Sequence, residues 1–460
     1  MSSVATLCGR LEKLVGSDCV QFSEALLRDY AISGRSPAAV LKPSSAGEVA
    51  EIVRFAGAEK LALVACGSRS KLELGMPPQR YDLALDMTGL RQMAHYDPGD
   101  LTVSVDAGIP LSELAKTLAA NHQFLPLAVP CGETATAGGA IASGIDSALR
   151  LQYGTARDFL IGAEFVDGTG RLCKSGGRVV KNVTGYDLHK LLIGSLGTLG
   201  VITRLNFRTF PLPESRGVFL AAFPLLDGAL NYRACLLKSG LPFSNVEFFD
   251  VAFAGRLAEN LNQSGIAVEE SLAAGGWQVY ASFAGNSAVI QRIQRELRER
   301  SAQAEALRSQ ALDEKSSESL SKSLRDAFDW LRHATSNVTL LRLTLPQFTS
   351  VDIVELQHLA NHPPLSTAFV LRACNVAYLT LISDGEGDQT DTLREQCVAE
   401  LFSRAEAKKG GTTILHASHQ LKDRVSAWGT KRADFPLMQR VKQAFDPQNI
   451  FAPGRFLGGI

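Results

Sequence analysis

The chain has 460 residues, 47 basic against 47 acidic, and 45% of it is apolar. That length exceeds one ordinary hydrophobic core and favours two or three packed units, while the balanced charge provides no global field to hold a nucleic-acid backbone or an anionic membrane surface. The start of the chain, with Arg10, Glu12 and Lys13 among short apolar stretches, does not read as a signal peptide, and the most apolar window, 217–230, is interrupted by Pro224 and Asp227, short of the ~20 residues a bilayer span needs.

In chain order, Ser45 and Glu48 form a Ser-x-x-Glu pattern ahead of Val49, Ile52, Val53 and Ala56, which predicts a capped amphipathic helix. Residues 61–65 read as a buried strand running out at Gly67, and a strand end is where α/β folds place ligands. Residues 101–107 alternate as a strand, and Gly108 and Pro110 break it before a helix carrying Leu111, Leu114, Ala115 and Leu118. Pro211 and Pro213 then mark a domain boundary. Beyond it, Val289, Ile293 and Leu297 predict a surface helix over about 287–309 whose charges form a solvated face. Residues 316–323 read as a loop or frayed helix end, and runs at 278–283, 338–344, 368–373 and 377–382 predict an antiparallel sheet covered on one face.

Eight cysteines, at 8, 19, 66, 131, 173, 235, 374 and 397, include no Cys-x-x-Cys pair, so redox chemistry would need an organic cofactor or a partner's cluster. Three segments bear on such a cofactor. The first is Cys66-Gly67-Ser68-Arg69-Ser70-Lys71, a small polar loop after a strand; its amides suit a pyrophosphate and its hydroxyls add donors, although such a composition more often marks a plain turn. The second runs from Pro130 through Thr136, Gly138, Gly139 and Ser143 to Gly144, followed by Tyr153-Gly154. It lacks the strand, Gly-x-Gly-x-x-Gly and helix order of a dinucleotide fingerprint, and helix packing explains 140–142 better than it explains 136–139. The third is 180–203, from Val180-Lys181-Asn182-Val183-Thr184-Gly185 to Gly200-Val201-Ile202.

The third segment resembles the FAD-binding domain of the 2-hydroxyacid (glycolate and D-lactate) dehydrogenase family, within the vanillyl-alcohol-oxidase (PCMH-type) superfamily, and is most similar to the smaller FAD-binding subunits of bacterial glycolate oxidases. Leu341-Arg342-Leu343-Thr344-Leu345-Pro346 is similar to a cap-domain strand of those subunits, and 445–455, ending at Arg455, to their closing motif. The resemblance implies an α+β fold with a two-subdomain PCMH-type FAD-binding domain over 1–215, an α+β cap or substrate domain with an antiparallel sheet over 216–425, and a C-terminal segment, 426–460, returning to the first domain. It also implies FAD held non-covalently, since no histidine stands at the attachment positions. The FAD would lie on Cys66, Gly67, Ser68, Arg69, Ser70 and Lys71, on Pro130, Thr136, Gly138, Gly139, Ser143 and Gly144, on Tyr153 and Gly154, and on Gly200, Val201, Ile202 and Arg455. In place of the family's consecutive glycines the loop has Ser68 and Arg69, so Arg69 must take an angle glycine adopts freely; either it pairs a phosphate or FAD is held more weakly.

The same resemblance implies a small 2-hydroxy acid substrate, a second FAD-binding subunit, an iron–sulfur electron-transfer subunit, and a cytoplasmic place that is peripheral at the inner membrane through the complex. Oxidising a 2-hydroxy acid needs a cation for the carboxylate and a base for the hydroxyl proton. Arg342 and Arg372, on predicted cap strands, are candidates for the cation, although an arginine there is more often a surface or interstrand residue, and His416 completes the candidate catalytic set. His416 and His419 would share a helix face and invite a metal reading. That reading is set aside because the longer histidine motif of the larger subunits is absent, and no metal is expected. Gly410-Gly411-Thr412 stands where the smaller subunits carry Gly-Gly-His. A catalytic subunit and a non-catalytic flavin-domain subunit that stabilises the complex therefore both stay open, with an aldose or cell-wall-precursor flavoenzyme as a third reading on the same fold.

Overall fold

The structure, a computed structural model, describes residues 2–178, 185–263, 272, 275–334, 337–383 and 388–460; Val180 to Thr184 of the third segment lie outside them. Ser45 caps the helix Ala46–Glu59 by accepting from the Glu48 amide at 3.2 Å, while the Glu48 carboxylate reaches back to the amide and hydroxyl of Ser44. The buried face of this helix, Val49, Ile52, Val53 and Ala56, packs with a four-stranded sheet of order β1-β2-β4-β3: β1 (Val20–Gln21), β2 (Ala39–Leu41), β3 (Leu63–Cys66) and β4 (Leu83–Asp86). β4 runs parallel to both neighbours, so β3 delivers its C-terminal end and the loop after it to one edge of the subdomain.

The second sheet is antiparallel, with β5 (Met93–Asp97), β6 (Thr102–Asp106), β8 (Leu160–Val166), β9 (Leu172–Gly176) and β10 (Val201–Arg208) in the order β5-β6-β10-β8-β9. A short ribbon of β7 (Gln123–Phe124) and β11 (Phe210–Pro211) flanks it. The closing motif returns to the first sheet: Leu63 donates to the Ile450 carbonyl at 2.7 Å and Ala452 donates to the Leu63 carbonyl at 2.8 Å. Lys442 anchors this return, its buried ammonium bonding the Thr198 and Phe451 carbonyls and the Asp446 carboxylate.

An eight-stranded antiparallel sheet follows, in the order β15-β12-β14-β13-β17-β18-β16-β19. Its strands are β12 (Ser215–Phe223), β13 (Phe243–Phe249), β14 (Trp277–Gly285), β15 (Arg308–Ala311), β16 (Val338–Thr344), β17 (Leu365–Arg372), β18 (Val376–Ser383) and β19 (Gly411–His416). Phe248, Leu341, Leu343, Phe369 and Leu379 on one face pack with Ala229, Ile293, Ile353 and Val398 of four helices. On the other face Val218, Phe249 and Val370 pack with Phe253, Leu320 and Leu331, and strand pairing aligns Glu247 with Arg372 and Arg342 with Tyr378 as polar neighbours.

Three expectations are corrected here. The large sheet, expected to be covered on one face, is packed on both. The helix predicted over 287–309 is Ser287–Gln303; Glu305 turns left-handed at φ 57, and Arg308–Ala311 becomes the edge strand β15. Residues 316–323 are not a loop but lie inside the helix Glu314–Arg325, capped by Asp313 on the Ser316 amide. Its serines misled because Ser317 and Ser323 are buried beside Leu320 and Leu324, small side chains on the packed face.

Candidate cofactor and substrate site

Where β3 ends, the chain makes two successive turns: Leu72 donates to the Arg69 carbonyl and Leu74 to the Lys71 carbonyl, each at 3.1 Å. Among the described residues, the amides of Ser68, Arg69, Ser70 and Lys71 have no protein acceptor. Free amides at the start of a turn form a concave anion site. They line a cleft of about 540 Å³ together with Cys66, Gly67, Thr136, Gly139, Ser143, Leu196 and Arg455. Gly67 is required by contact: a β-carbon there would stand 2.0 Å from Thr136 Oγ1. Arg69 does take the left-handed angle, at φ 64, and its guanidinium lies 4.4 Å over the Tyr30 ring, which in turn donates to Asp86 at 2.7 Å. Cys66 is buried, and burial pushes its thiol well above the usual range.

The glycine-rich run divides between two roles. Thr136 caps the helix Ala137–Ser143, accepting from the Gly139 amide at 3.2 Å, so this helix starts on the cleft wall. Gly138 is placed otherwise than expected: its amide donates to the Ala107 carbonyl at 2.7 Å and an added β-carbon would meet Ala107 Cβ at 2.7 Å, so it serves the packing of the helix on β6. Gly144 ends the helix at φ 61 against Gly194, again a packing position. Tyr153 packs edge-on with Phe124 and Phe210, and Gly154 turns beside Asp158. Gly200 packs on Phe165, while the side chains of Val201 and Ile202 enter the cores beside β8. None of Tyr153, Gly154, Gly200, Val201 or Ile202 lines the cleft.

A second cleft of about 460 Å³ shares Ser70 and Lys71 with the first and lies between the loop and the eight-stranded sheet. Pro130 and Cys131 form one wall, Phe328, Asp329 and Arg332 of the helix Ala327–Ala334 another, and Leu340 of β16 and His416 of β19 a third. Leu340 and His416 are register partners, which is why they arrive side by side. Arg332 donates to the Ser70 carbonyl at 3.1 Å and to Asp329 at 2.6 Å, Asp329 accepts from the Cys131 thiol at 3.2 Å, and Asp326 accepts from the Cys131 amide at 3.0 Å. Arg332 Nε is buried with no partner. Burial, with Arg332 nearby, lowers the Lys71 ammonium from its ordinary value. Burial, then the Lys422 and Arg332 charges, lowers His416 to about 4, so its imidazole is neutral at physiological pH.

His416 ends β19 and His419 begins the helix His419–Arg424, so the shared helix face expected of the pair does not exist. Neither Arg342 nor Arg372 lines either cleft. Arg372 is buried and donates to Glu247 at 2.8 Å, and Arg342 stands 3.5 Å from Asp146, so both are held as partners between strands or subdomains. Arg332, Asp329, Cys131 and Lys422 were missed by the sequence reading. Arg332 and Asp329 share one helix with His333 and look like a solvated face, and nothing local reveals that it meets a loop 262 positions away.

A parallel subdomain and an antiparallel subdomain sharing an amide-lined cleft, closed by an antiparallel sheet with helices, define a two-subdomain flavoprotein of the PCMH type. The family profile described as "FAD binding domain" matches residues 37–176, and that described as "FAD linked oxidases, C-terminal domain" matches residues 212–456. The chain belongs to the FAD-linked oxidase family, and FAD is its cofactor. Among curated relatives it is 24% identical over 433 residues to glycolate oxidase subunit GlcD of Bacillus subtilis, covering 91% of this chain and 88% of that one. It is 36% identical over 208 residues to glycolate oxidase subunit GlcE of Escherichia coli, covering 45% of this chain and 59% of that one. Among solved structures, p-cresol methylhydroxylase with substrate bound gives a TM-score of 0.77 at 15% identity, covering 99% of this chain and 97% of that one. The 4-ethylphenol oxidase of Gulosibacter chungangensis gives 0.76 at 17%, covering 98% and 96%. These neighbours establish the fold. The chain is an FAD-linked oxidoreductase of the glycolate oxidase and D-lactate dehydrogenase group, and among its described residues no helix is long and apolar enough to cross a membrane.

Proposed function

We propose that the chain is an FAD-dependent dehydrogenase or oxidase of a small 2-hydroxy acid, glycolate or D-lactate, and that it works as the FAD-binding subunit of a complex with a second FAD-binding subunit and an iron–sulfur electron-transfer subunit. The observation that carries the reading is the second cleft, where two cations and a neutral imidazole stand around a space continuous with the loop of free amides. Non-covalently bound FAD supplies the acceptor for the hydride. Lys71 and Arg332 offer donors to a carboxylate, Arg332 through the unpartnered Nε, and a guanidinium suits that group in shape as well as charge. His416, held neutral, accepts the hydroxyl proton. Phe328, Leu340 and Ile145 supply an apolar wall that limits water at the reacting centre. In this reading 1–215 and 426–460 form the FAD-binding domain and 216–425 the cap, supported by the return of Ile450 and Ala452 to β3. The complex is supported by the names of the GlcD and GlcE relatives, both subunits of glycolate oxidase.

The test is anaerobic mixing of the FAD-loaded protein with glycolate, D-lactate and L-lactate while the flavin absorbance is followed. Bleaching by glycolate or D-lactate is expected, and affinity purification of the tagged chain from its native cell should bring down an iron–sulfur protein. An FAD-replete chain that none of the acids bleaches, alone or in the purified complex, would leave the non-catalytic subunit as the correct reading.

A further inference from the structure

The turns over 69–74 have two different ends. Their first amides are free, whereas their last carbonyls are taken by buried cations: Leu72 accepts from Arg455 Nη2 at 2.6 Å, Leu74 accepts from the same nitrogen, and Glu73 accepts from Lys422 Nζ. In a trans peptide unit the carbonyl and the following N–H point in opposite directions. Fixing the carbonyls of 72–74 therefore fixes the next amides, and the Leu74 amide closes the turn on Lys71. Lys422 is 1% exposed, and its ammonium lies 3.7 Å from Glu73 Oε2. That carboxylate is itself held by the Ser33 amide at 2.9 Å and hydroxyl at 3.2 Å. A lysine buried so deeply is costly unless it is paired, and its pairing here is with the cofactor loop.

We propose that Lys422 is a positioning residue for the FAD phosphates, capping the carbonyl end of the 69–74 turns so that the amides of 68–71 are presented to the cleft. It does not touch the cofactor's chemistry; it acts through the loop, together with Arg455. The role rests on FAD occupying the first cleft and not on the identity of the substrate. Its charge adds a pH dependence. Burial lowers Lys422 to about 8; Glu73 of the loop raises it and Arg455 of the C-terminal segment lowers it, while His416 of β19 is neutral in this range. An anion in the cleft favours the charged amine, so FAD binding takes up a proton above pH 8 and affinity falls as pH rises past that value.

The experiment measures the FAD dissociation constant of apo-protein by flavin fluorescence between pH 7 and 9.5 for the parent, Lys422→Met and Lys422→Arg, with apo-protein melting alongside. A charged hydrogen bond is worth about 1.5–3 kcal/mol, so Lys422→Met should weaken FAD by about tenfold or more at pH 7. Lys422→Arg should keep parental affinity at pH 7 and hold it to pH 9.5, where the parent loses affinity. Unchanged affinity of Lys422→Met at pH 7, a parent profile flat to pH 9.5, or a Lys422→Arg profile that declines like the parent's would each overturn the proposal. Should Lys422→Met not fold, the Lys422→Arg profile decides. A parent that binds no FAD at any pH would instead remove the placement of FAD.

Discussion

Replacing Gly67 by alanine puts a β-carbon 2.0 Å from Thr136 Oγ1 and 2.9 Å from Thr136 Cγ2, inside any tolerable contact. Thr136 cannot turn away freely, because its hydroxyl caps the helix Ala137–Ser143 on the Gly139 amide. The substitution must therefore either expel the cap, at about 1 kcal/mol, or move the loop with strain of about 1–3 kcal/mol. Both displace amides that face the first cleft, so, with FAD held there as proposed, FAD retention after gel filtration should fall along with the urea midpoint of the apo-protein. Thr136→Gly removes every atom the new β-carbon meets, and glycine at a helix N-cap costs only about a few tenths of a kcal/mol. The double variant Gly67→Ala with Thr136→Gly should then be more stable than Gly67→Ala alone, with a coupling of about 1 kcal/mol or more between the two sites. Additive effects, or a double variant worse than either single one, would show that Gly67 is needed for something other than room beside Thr136.

Four further outcomes are expected. Gly138→Ala should lower apo-protein melting, because the new β-carbon would stand 2.7 Å from Ala107 Cβ, whereas Gly139→Val should lower FAD occupancy more than melting, since Gly139 lines the cleft and a β-carbon there would meet only Thr136 Oγ1, at 3.0 Å; equal loss of fold in both would contradict the division. His416→Gln should slow anaerobic flavin reduction about a hundredfold or more if the imidazole takes the hydroxyl proton. His416 also has a stability signature: its folded value, lowered to about 4, lies below the unfolded value of about 6.5. Its contribution is complete above the unfolded value and is lost as pH falls from there through 4, so the glutamine variant should lose less stability over that window, as read by urea midpoints at pH 7 and pH 4.5. Lys442→Met should cost about 3–5 kcal/mol, because it leaves the buried Asp446 carboxylate without its ammonium; a change under about 1 kcal/mol in apo-protein urea unfolding would count against it.

The elements that sequence declared correctly are those whose signal is local. The Ser45 cap, the apolar face of Ala46–Glu59, the strand running out at Gly67 and the runs at β14, β16, β17 and β18 each carry their own pattern. The errors came where burial overrides polarity or where a turn is set by one residue. Ser317 and Ser323 are buried on a helix that reads as polar, and Glu305 in a left-handed angle ends a helix that the Arg/Glu pattern would continue. Gly138 and Gly139 are adjacent and identical in sequence, and only the position of Ala107 across the subdomain tells a packing glycine from one that lines the cleft.

For the site, the loop 66–71 was legible because a short run of residues supplies its own amides, and the sequence showed the cost at Arg69 that the φ of 64 meets. What holds that loop in shape was not legible. Its carbonyls at 70, 72, 73 and 74 are held by Arg332, Arg455 and Lys422, which stand hundreds of positions away, and of these the sequence pointed only to Arg455. A cation that bonds a carbonyl leaves no pattern in its own neighbourhood, since the acceptor is a backbone atom common to every residue. The candidate arginines chosen from the strands show the converse. Arg342 and Arg372 stand in clear β patterns, yet Asp146 and Glu247 claim them. A strand pattern places a side chain on a face of the sheet, and the long-range partner on that face decides whether its charge is left for a ligand.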